Sequence, residues 1–551
     1  MPIILPAEHV FAVNIHGHEL TVAGGTMKYL ALKVVLCSGL LAAAAASAAA
    51  ATDGGAKVDL TLHPDANGPV ISRHIFGQFA EHLGKGIYEG IWVGPDSPIP
   101  NTRGIRNDVV AALKALHVPN VRWPGGCFAD EYHWRKGLGP ANHRPATINA
   151  NWGGVTEPNT FGTHEFMDFL DQIGAQAYLS VNVGSGTVEE AADWLEYLTA
   201  GPPDALGAER AANGHPAPYQ IPFVGIGNES WGCGGAMTPD YYLSQLKIYS
   251  RFVRSYDPAH PFKRIAVGSD GGSSDYTETV MKAWQSHVWS WDIDTVSLHY
   301  YTVGKWPPSY PATGFSENDY AAILKETRRL EDIIGGQETL MDRYDPQKKI
   351  GLAVDEWGTW FTPTPGTHPG FLEQQNSERD AVSAALGLHI FVRHAARVRM
   401  ANIAQMVNVL QAMILTQGEK MILTPTYHVF QMYVPFQDAA SVPVSLDAGE
   451  YVQGNIHLPR LDAIAAKDTN GKLWVAVTNI DGSRPATIEI AVEGKRLRAA
   501  HGDTLTAPHL DSVNTFDAPH TVQPKAIAAR IADGKVVLHI APASVTVVGL
   551  E

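Results

Sequence analysis

The sequence predicts an α/β protein: a closed (β/α)8 TIM barrel followed by a C-terminal all-β sandwich of jelly-roll-like character. Three observations predict it. Between about residues 71 and 435, eight short apolar runs alternate with stretches whose apolar residues recur at helical spacing. No G-x-G-x-x-G opens a helix after the first run, which argues against a doubly wound dinucleotide-binding sheet. From about residue 436 onward the helical spacing stops, and strand-like runs separated by Asp- and Asn-Gly turns take over.

In chain order, residues 1–52 read as a leader. Residues 27–33 are short and basic, and residues 34–41 are apolar. Ala46-Ser47-Ala48 and Ala48-Ala49-Ala50 then offer small-residue cleavage points, the layout of a secretory signal peptide. Residues 1–26 precede that layout, so translation is expected to start at Met27. The apolar stretch is short for a membrane span. The expected protein is therefore extracytoplasmic, periplasmic or secreted, with no membrane attachment in its mature form. Residues 57–63, within segment 53–70, alternate like an exposed strand and are expected to join the β domain.

The barrel strands are expected at 75–81, 120–123, 177–183, 223–228, 265–268, 295–301, 352–356 and 402–408. Helical spacing is clearest at 105–116, 187–198, 239–256 and 319–332. The barrel so defined spans 71–435 and the sandwich 436–551, with strands at 473–479, 486–490 and 536–540.

Composition narrows the function. The chain has 551 residues, 45% hydrophobic and 18% charged, with a formal net charge of -15. No Lys/Arg stripe is present to follow phosphates, so nucleic acid is excluded as a partner. A neutral ligand suits this balance. Of three cysteines, Cys37 lies in the leader. Cys127 and Cys233 sit in Gly-rich strand-end loops; they can pair in an oxidising compartment, but spacing alone does not show it. Two cysteines without a histidine cluster make a poor metal site.

The chemistry is carried by Asn228-Glu229-Ser230 and Asp355-Glu356-Trp357-Gly358, each at the end of an apolar run. A carboxylate there projects into the barrel mouth, where active sites form. Two such groups, one protonated and one ionised, are what retaining glycoside hydrolysis needs. A single strand-end Glu is more simply read as an ion-pair partner; the pair, in this company, reads as chemistry. Glu229 is the candidate acid/base, and Asn228 beside it can bind a sugar hydroxyl. Glu356 is the candidate nucleophile. Asp355 should face the other side of the strand by the period-two rule, and replaces Glu356 only if the strand bulges.

Other polar groups collect at the same ends: Glu81-His82, Arg122 through Cys127, Asn182, and His299-Tyr300-Tyr301. Arg122 or His299 near Glu356 keeps it ionised, and Tyr301 can hydrogen-bond it. Taken singly, Arg122 reads equally as a structural ion pair, and His299 and Tyr301 as core residues. Trp152 and Trp360 lie in loops where an indole can stack on a sugar face, though loop-anchoring tryptophans are as common.

At these residues the sequence resembles the α-L-arabinofuranosidases of glycoside hydrolase family 51. The matching stretches include Phe76-Gly77-Gln78-Phe79-Ala80-Glu81-His82, Arg122-Trp123-Pro124-Gly125-Gly126-Cys127-Phe128-Ala129-Asp130, Gly227-Asn228-Glu229-Ser230-Trp231-Gly232-Cys233-Gly234-Gly235, Asp355-Glu356-Trp357-Gly358 and Asn408-Val409-Leu410-Gln411. The resemblance implies a retaining, exo-acting enzyme that removes terminal α-L-arabinofuranosyl units from arabinan, arabinoxylan or their oligosaccharides. It implies Glu229 as acid/base and Glu356 as nucleophile. It places Glu81, Cys127, Asn228, Tyr301 and Gln411 around the bound arabinose, with Cys127 a thiol. It further implies a homo-oligomer, a hexamer, and no cofactor. The leader departs from the many relatives that look cytoplasmic. The competing readings are an endo-β-glucanase or β-xylosidase on the same fold, and a glycan-binding protein without catalysis.

Overall fold

The computed structural model describes residues 57–66 and 68–551. The expected leader, with Met27 and Cys37, lies outside the described residues. Among the described residues, no helix is long and apolar enough to cross a membrane.

The chain opens with β1 (Lys57–Leu62) and then builds the barrel. Its strands are β2 (Gly77–Phe79), β3 (Asn120–Trp123), β4 (Gln176–Val181), β5 (Phe223–Ile226), β6 (Lys263–Ser269), β7 (Thr295–Thr302), β8 (Gly351–Thr359) and β9 (Val398–Ile403), closing β9 to β2. Every neighbouring pair is parallel. Both strand faces are covered, which is why these segments read as continuous apolar runs rather than alternating ones. Tyr178, Phe223, Ile265, Ala353 and Met400 fill one layer across the lumen.

Helices α1 (Asn107–Ala115), α2 (Thr163–Ile173), α3 (Val188–Thr199), α4 (Ala205–Ala212), α5 (Pro239–Phe252), α6 (Asp275–Gln285), α7 (Glu317–Tyr344), α8 (Glu378–Arg393) and α9 (Pro425–Met432) follow. Their starts are chemically marked. Thr187 caps α3, Thr238 caps α5 with Pro239 just inside it, and Ser316 and Ser377 form capping boxes with Asp319 and Asp380.

Departures from the sequence expectation include three elements near the site. The eighth barrel strand is Val398–Ile403, not 402–408. The chain leaves the sheet after Ile403, and Asn408 and Leu410 take left-handed backbone. Helix α7 runs 28 residues instead of ending at 332, because Ile334, Leu340 and Met341 continue its buried stripe past Gly335-Gly336. Helix α8 has no sequence periodicity, since residues 378–392 are buried all round.

The C-terminal sandwich has a sheet of five strands and one of six. In the first, β1 lies antiparallel to Val444–Leu446 and parallel to Ala486–Val492. Leu60, Leu62, Val475, Val477, Ile488, Ile490, Val536 and Leu538 lie in the core between the sheets. The sandwich meets the barrel through Asp462, which accepts from His389 and Arg393 of α8 at 2.9 and 2.8 Å and from Arg328 of α7 at 2.7 Å.

Candidate active site

The strand ends of the barrel open on a cavity of about 750 Å³. Glu229, Glu356, Glu81, Cys127, Trp152, His299, Tyr301 and Trp360 all line it.

Glu356 comes from β8. Its inward aim depends on irregular pairing: register shifts occur on both sides of the strand, between Ser297 and His299 of β7 and between Val354 and Trp357 of β8. The expectation that Asp355 faces away from Glu356 is therefore corrected. Asp355 also points into the lumen, accepting from Tyr178 Oη at 2.6 Å and lying 3.3 Å from His299 Nε2. The bulge lets consecutive residues share one side. Asp355 lies one layer below the cavity and does not line it.

Arg122 of β3 joins the two strand-end motifs. Its Nη1 donates to Glu356 Oε1 and its Nη2 to Asn228 Oδ1, each at 2.6 Å. Tyr301 Oη donates to Glu356 Oε2 at 2.8 Å. The approach is close: a Cβ on Gly126 would stand 2.7 Å from Glu356 Oε1.

Glu229 follows β5 after Gly227 and itself takes left-handed backbone, φ 38°. His299 Nδ1 lies 2.9 Å from Glu229 Oε1 and 3.6 Å from Glu356 Oε1. Single oxygens of Glu229 and Glu356 and a nitrogen of His299 all lie within 4.8 Å of one another. That spacing suits a metal, but Arg122 and His299 already stand as counter-charges to these carboxylates.

Burial raises Glu229 above the usual carboxylate range, and the charge of Glu356 adds to this, while His299 and Arg122 oppose it. Burial lowers the His299 imidazole, but Glu356, Asp355 and Glu229 outweigh it and carry it up to about 10. Asp355 is held low: burial opposes, and Arg122, His299 and Tyr178 prevail. The site thus pushes Glu229 up and Asp355 down from the ordinary carboxylate range.

Glu81 forms the far wall. Its Oε1 accepts from Gly126 N, Phe128 N and Trp152 Nε1, and its Oε2 from Gln405 Nε2. Burial pushes it up to about 7, with Glu356 adding and its N–H donors opposing. His82 and Asn182 are structural. His82 pairs with Glu157 at 3.0 Å, and Asn182 ties the backbone of Ser185 and Gly186.

Two expectations drawn from the resemblance are corrected. Gln411 does not reach the cavity; its Oε1 accepts from Thr359 N and its Nε2 donates to Asp380 O, both at 2.8 Å. The glutamine that lines the cavity is Gln405. Cys127 lines it, but as half of a disulfide with Cys233, the two Cα atoms 5.5 Å apart. Sequence reading also passed over Trp231 and Trp306 on the outer wall. Trp306 packs edge-on against Trp360 at 5.4 Å, and Trp360 against Tyr301 at 5.1 Å. The signal for Trp306 was its place five residues after Tyr301, in the loop that follows β7.

Known proteins resemble this chain in sequence and fold. Residues 112–307 match the α-L-arabinofuranosidase 1 domain and residues 355–544 the α-L-arabinofuranosidase C-terminal domain. An intracellular exo-α-L-arabinofuranosidase of Bacteroides ovatus is 45% identical over 467 residues, covering 84% of this chain and 90% of that protein. The crystal structure of the GH51 arabinofuranosidase from Xanthomonas axonopodis pv. citri superposes with a TM-score of 0.87 at 50% identity, covering 90% of this chain and all of that one. An arabinose complex of the α-L-arabinofuranosidase from Thermotoga maritima superposes with a TM-score of 0.79 at 32% identity, covering 90% of this chain and 99% of that one.

Proposed function

Because the chain belongs to the family 51 α-L-arabinofuranosidases, we propose that it removes terminal, non-reducing α-L-arabinofuranosyl units by a retaining double displacement through Glu229 and Glu356. It is a glycoside hydrolase with α-L-arabinofuranosidase activity. The retaining reading is carried by one observation: oxygens of Glu229 and Glu356 lie within 4.8 Å. Retaining pairs stand roughly 5 Å apart, whereas inverting pairs leave about 6.5 Å or more for a water.

In this mechanism the protonated Glu229 gives its proton to the glycosidic oxygen while Glu356 attacks the anomeric carbon. The leaving alcohol departs and an arabinosyl–Glu356 ester forms. The Glu229 carboxylate then takes a proton from water, whose oxygen attacks the same carbon and frees Glu356. Arg122 and Tyr301 hold Glu356 for attack by donating to both its oxygens.

The exo reading is supported by the cavity wall. Leu83, Leu372 and Leu410 pack with Trp152 and Trp360 on one side, which suits a chain end better than a strand passing through. Arabinan, arabinoxylan and their oligosaccharides are the proposed substrates. The leader-like residues 27–50 and the disulfide support an extracytoplasmic location. A homo-oligomer, hexameric by resemblance, completes the proposal.

Hydrolysis of an aryl α-L-arabinofuranoside by wild type, Glu229→Ala and Glu356→Ala, with and without azide, tests it. The expected products are arabinosyl azide of retained configuration from Glu229→Ala and inverted from Glu356→Ala. Undiminished hydrolysis by Glu356→Ala rejects the mechanism.

A further inference from the structure

We infer that the Cys127–Cys233 disulfide is a positioning element for the acid/base Glu229, holding the loop that carries it against the second strand-end turn. The inference rests on the assignment of Glu229 above.

The loop after β5 closes on itself through Gly232 N and Gly234 N to Glu229 O, Ala236 N to Gly232 O and Met237 N to Ser230 O, but these bonds do not tie it to its neighbours. Gly232, Gly234 and Gly235 bring backbone freedom, and Glu229 and Ala236 take left-handed backbone at φ 38° and 48°. Helix capping does not reach it, since α5 starts only at Pro239. Besides Arg122 at Asn228 and His299 at Glu229, what seats the loop against its neighbours is the turn Cys127–Glu131, which touches it at two points.

One is covalent, Cys127 to Cys233, joining positions 106 residues apart in the chain. The other is Asp130, itself held by the loop after β4, where its Oδ1 accepts from Val183 N and Gly184 N at 2.9 and 2.8 Å. Its Oδ2 stands so near Gly234 that a Cβ there would lie 2.7 Å away. The turn is itself pinned by Glu81, which accepts from Phe128 N.

The bond also touches the reacting carboxyl. Cys233 Sγ lies 3.5 Å from Glu229 Oε2 and 3.7 Å from Asn228 Nδ2. A bonded sulfur carries no proton to donate, so it offers Glu229 an apolar, polarisable surface in place of water. Cutting the bond frees the loop and wets that side of the acid. A small displacement there weakens proton delivery to the leaving oxygen, a step sensitive to geometry.

Reduction is the direct test. A dithiol such as dithiothreitol passes two electrons and two protons to the bond, leaving two thiols and closing to its own cyclic disulfide. Peptide mapping of the alkylated, unreduced enzyme must first find 127 and 233 linked; free thiols at both positions overturn the inference.

The reduced enzyme and a Cys127→Ala/Cys233→Ala double variant are then compared with wild type on two aryl α-L-arabinofuranosides. One has a poor leaving group that needs protonation, the other a dinitrophenolate that does not. The expected result is a kcat/KM loss of about ten- to a hundredfold on the poor leaving group, and less than about twofold on the good one. Reoxidation restores the reduced enzyme. Equal losses on both substrates, or none, overturn the inference. Glu229→Ala is the reference. If it lacks the leaving-group dependence, the assignment of Glu229 fails; if it has it and the reduced enzyme does not, only the positioning role fails.

Discussion

His299 Nδ1 lies 2.9 Å from Glu229 Oε1, and the same ring presents Nε2 to Asp355 Oδ1 at 3.3 Å. One imidazole thus bridges the candidate acid and the buried carboxylate beneath the nucleophile. With the ring raised to about 10 by its three carboxylate neighbours, despite burial, it is an imidazolium across the neutral range. A cation beside Glu229 favours its ionised form. Replacing it by a neutral residue, His299→Asn, therefore raises Glu229 further. The alkaline limb of the kcat/KM profile should move to higher pH, with the maximum lowered by about ten- to a hundredfold. A limb that moves down instead would mean that another group sets it.

Tyr301 donates to Glu356 Oε2 at 2.8 Å. Glu356, Glu229 and burial keep the phenol well above its ordinary range, burial most of all, so it remains a donor at any working pH. Removing the hydroxyl in Tyr301→Phe leaves the ring in place and Glu356 held by Arg122 alone. The expected loss in kcat on an aryl arabinofuranoside is about tenfold to a hundredfold, with KM changed little. An unchanged kcat rejects a catalytic role for the contact.

Much of this site was legible because buried parallel strands announce themselves as apolar runs, and the residue that ends such a run must face the barrel mouth. That logic located Glu229 and Glu356 together with His299 and Tyr301. It failed wherever the backbone departs from regularity. Alternation along β8 put Asp355 on the wrong side, since a register shift is not written in residue types. Past Ile403 the chain is as apolar as a strand, so the segment looked like β9 continued, and nothing in it told Gln405 from Gln411. Cys127 and Cys233 are brought together only by the closed barrel, a relation that 106 residues of spacing cannot express. Helix α8 was silent because a helix buried on every face has no stripe to show.

Glu378 opens α8 fully buried, and neither carboxyl oxygen has a hydrogen-bond partner. Burial alone pushes it from its ordinary 4.5 up to about 8. Between those values the folded state holds a proton that the unfolded chain releases. The stability linked to this group is therefore present below pH 4.5 and is lost as pH rises toward 8. Glu378→Gln keeps the shape without the charge. Thermal unfolding should find it close to wild type in acid and more stable by several degrees at pH 8 and above, the gap widening in between. A gap that is constant with pH rejects the titration of Glu378 as its cause.

Asp462 joins the sandwich to the barrel by accepting from His389, Arg393 and Arg328. Its carboxyl is held well below the ordinary range because these partners outweigh burial. Asp462→Ala leaves two arginines and a histidine facing an empty, largely dry position. Breaking a buried ion pair in this way costs about 3 kcal/mol or more. Denaturant unfolding should show that loss, and kinetics of the folded fraction should be near wild type, since Asp462 does not line the active-site cavity. Loss of activity without loss of stability would contradict the structural role.

Gln405 and Gln411 make opposite predictions. Gln405 lines the cavity and donates to Glu81 Oε2 at 2.9 Å, so Gln405→Ala removes both a polar wall group and a restraint on Glu81. The expected effect is a fall in kcat/KM of about tenfold or more with little change in unfolding temperature. Gln411 spends its amide on Thr359 N and Asp380 O, away from the cavity. Gln411→Ala strands the buried N–H of Thr359 at the end of β8, while Asp380 O keeps its partner within α8. Such an orphan costs about 1–3 kcal/mol, so this variant should unfold earlier while its folded fraction retains near-normal kinetics. Steady-state kinetics and thermal unfolding on both variants decide the matter. Were Gln411→Ala to lose activity at full stability and Gln405→Ala to lose stability at full activity, the corrected assignment would be reversed and Gln411 restored to the arabinose site.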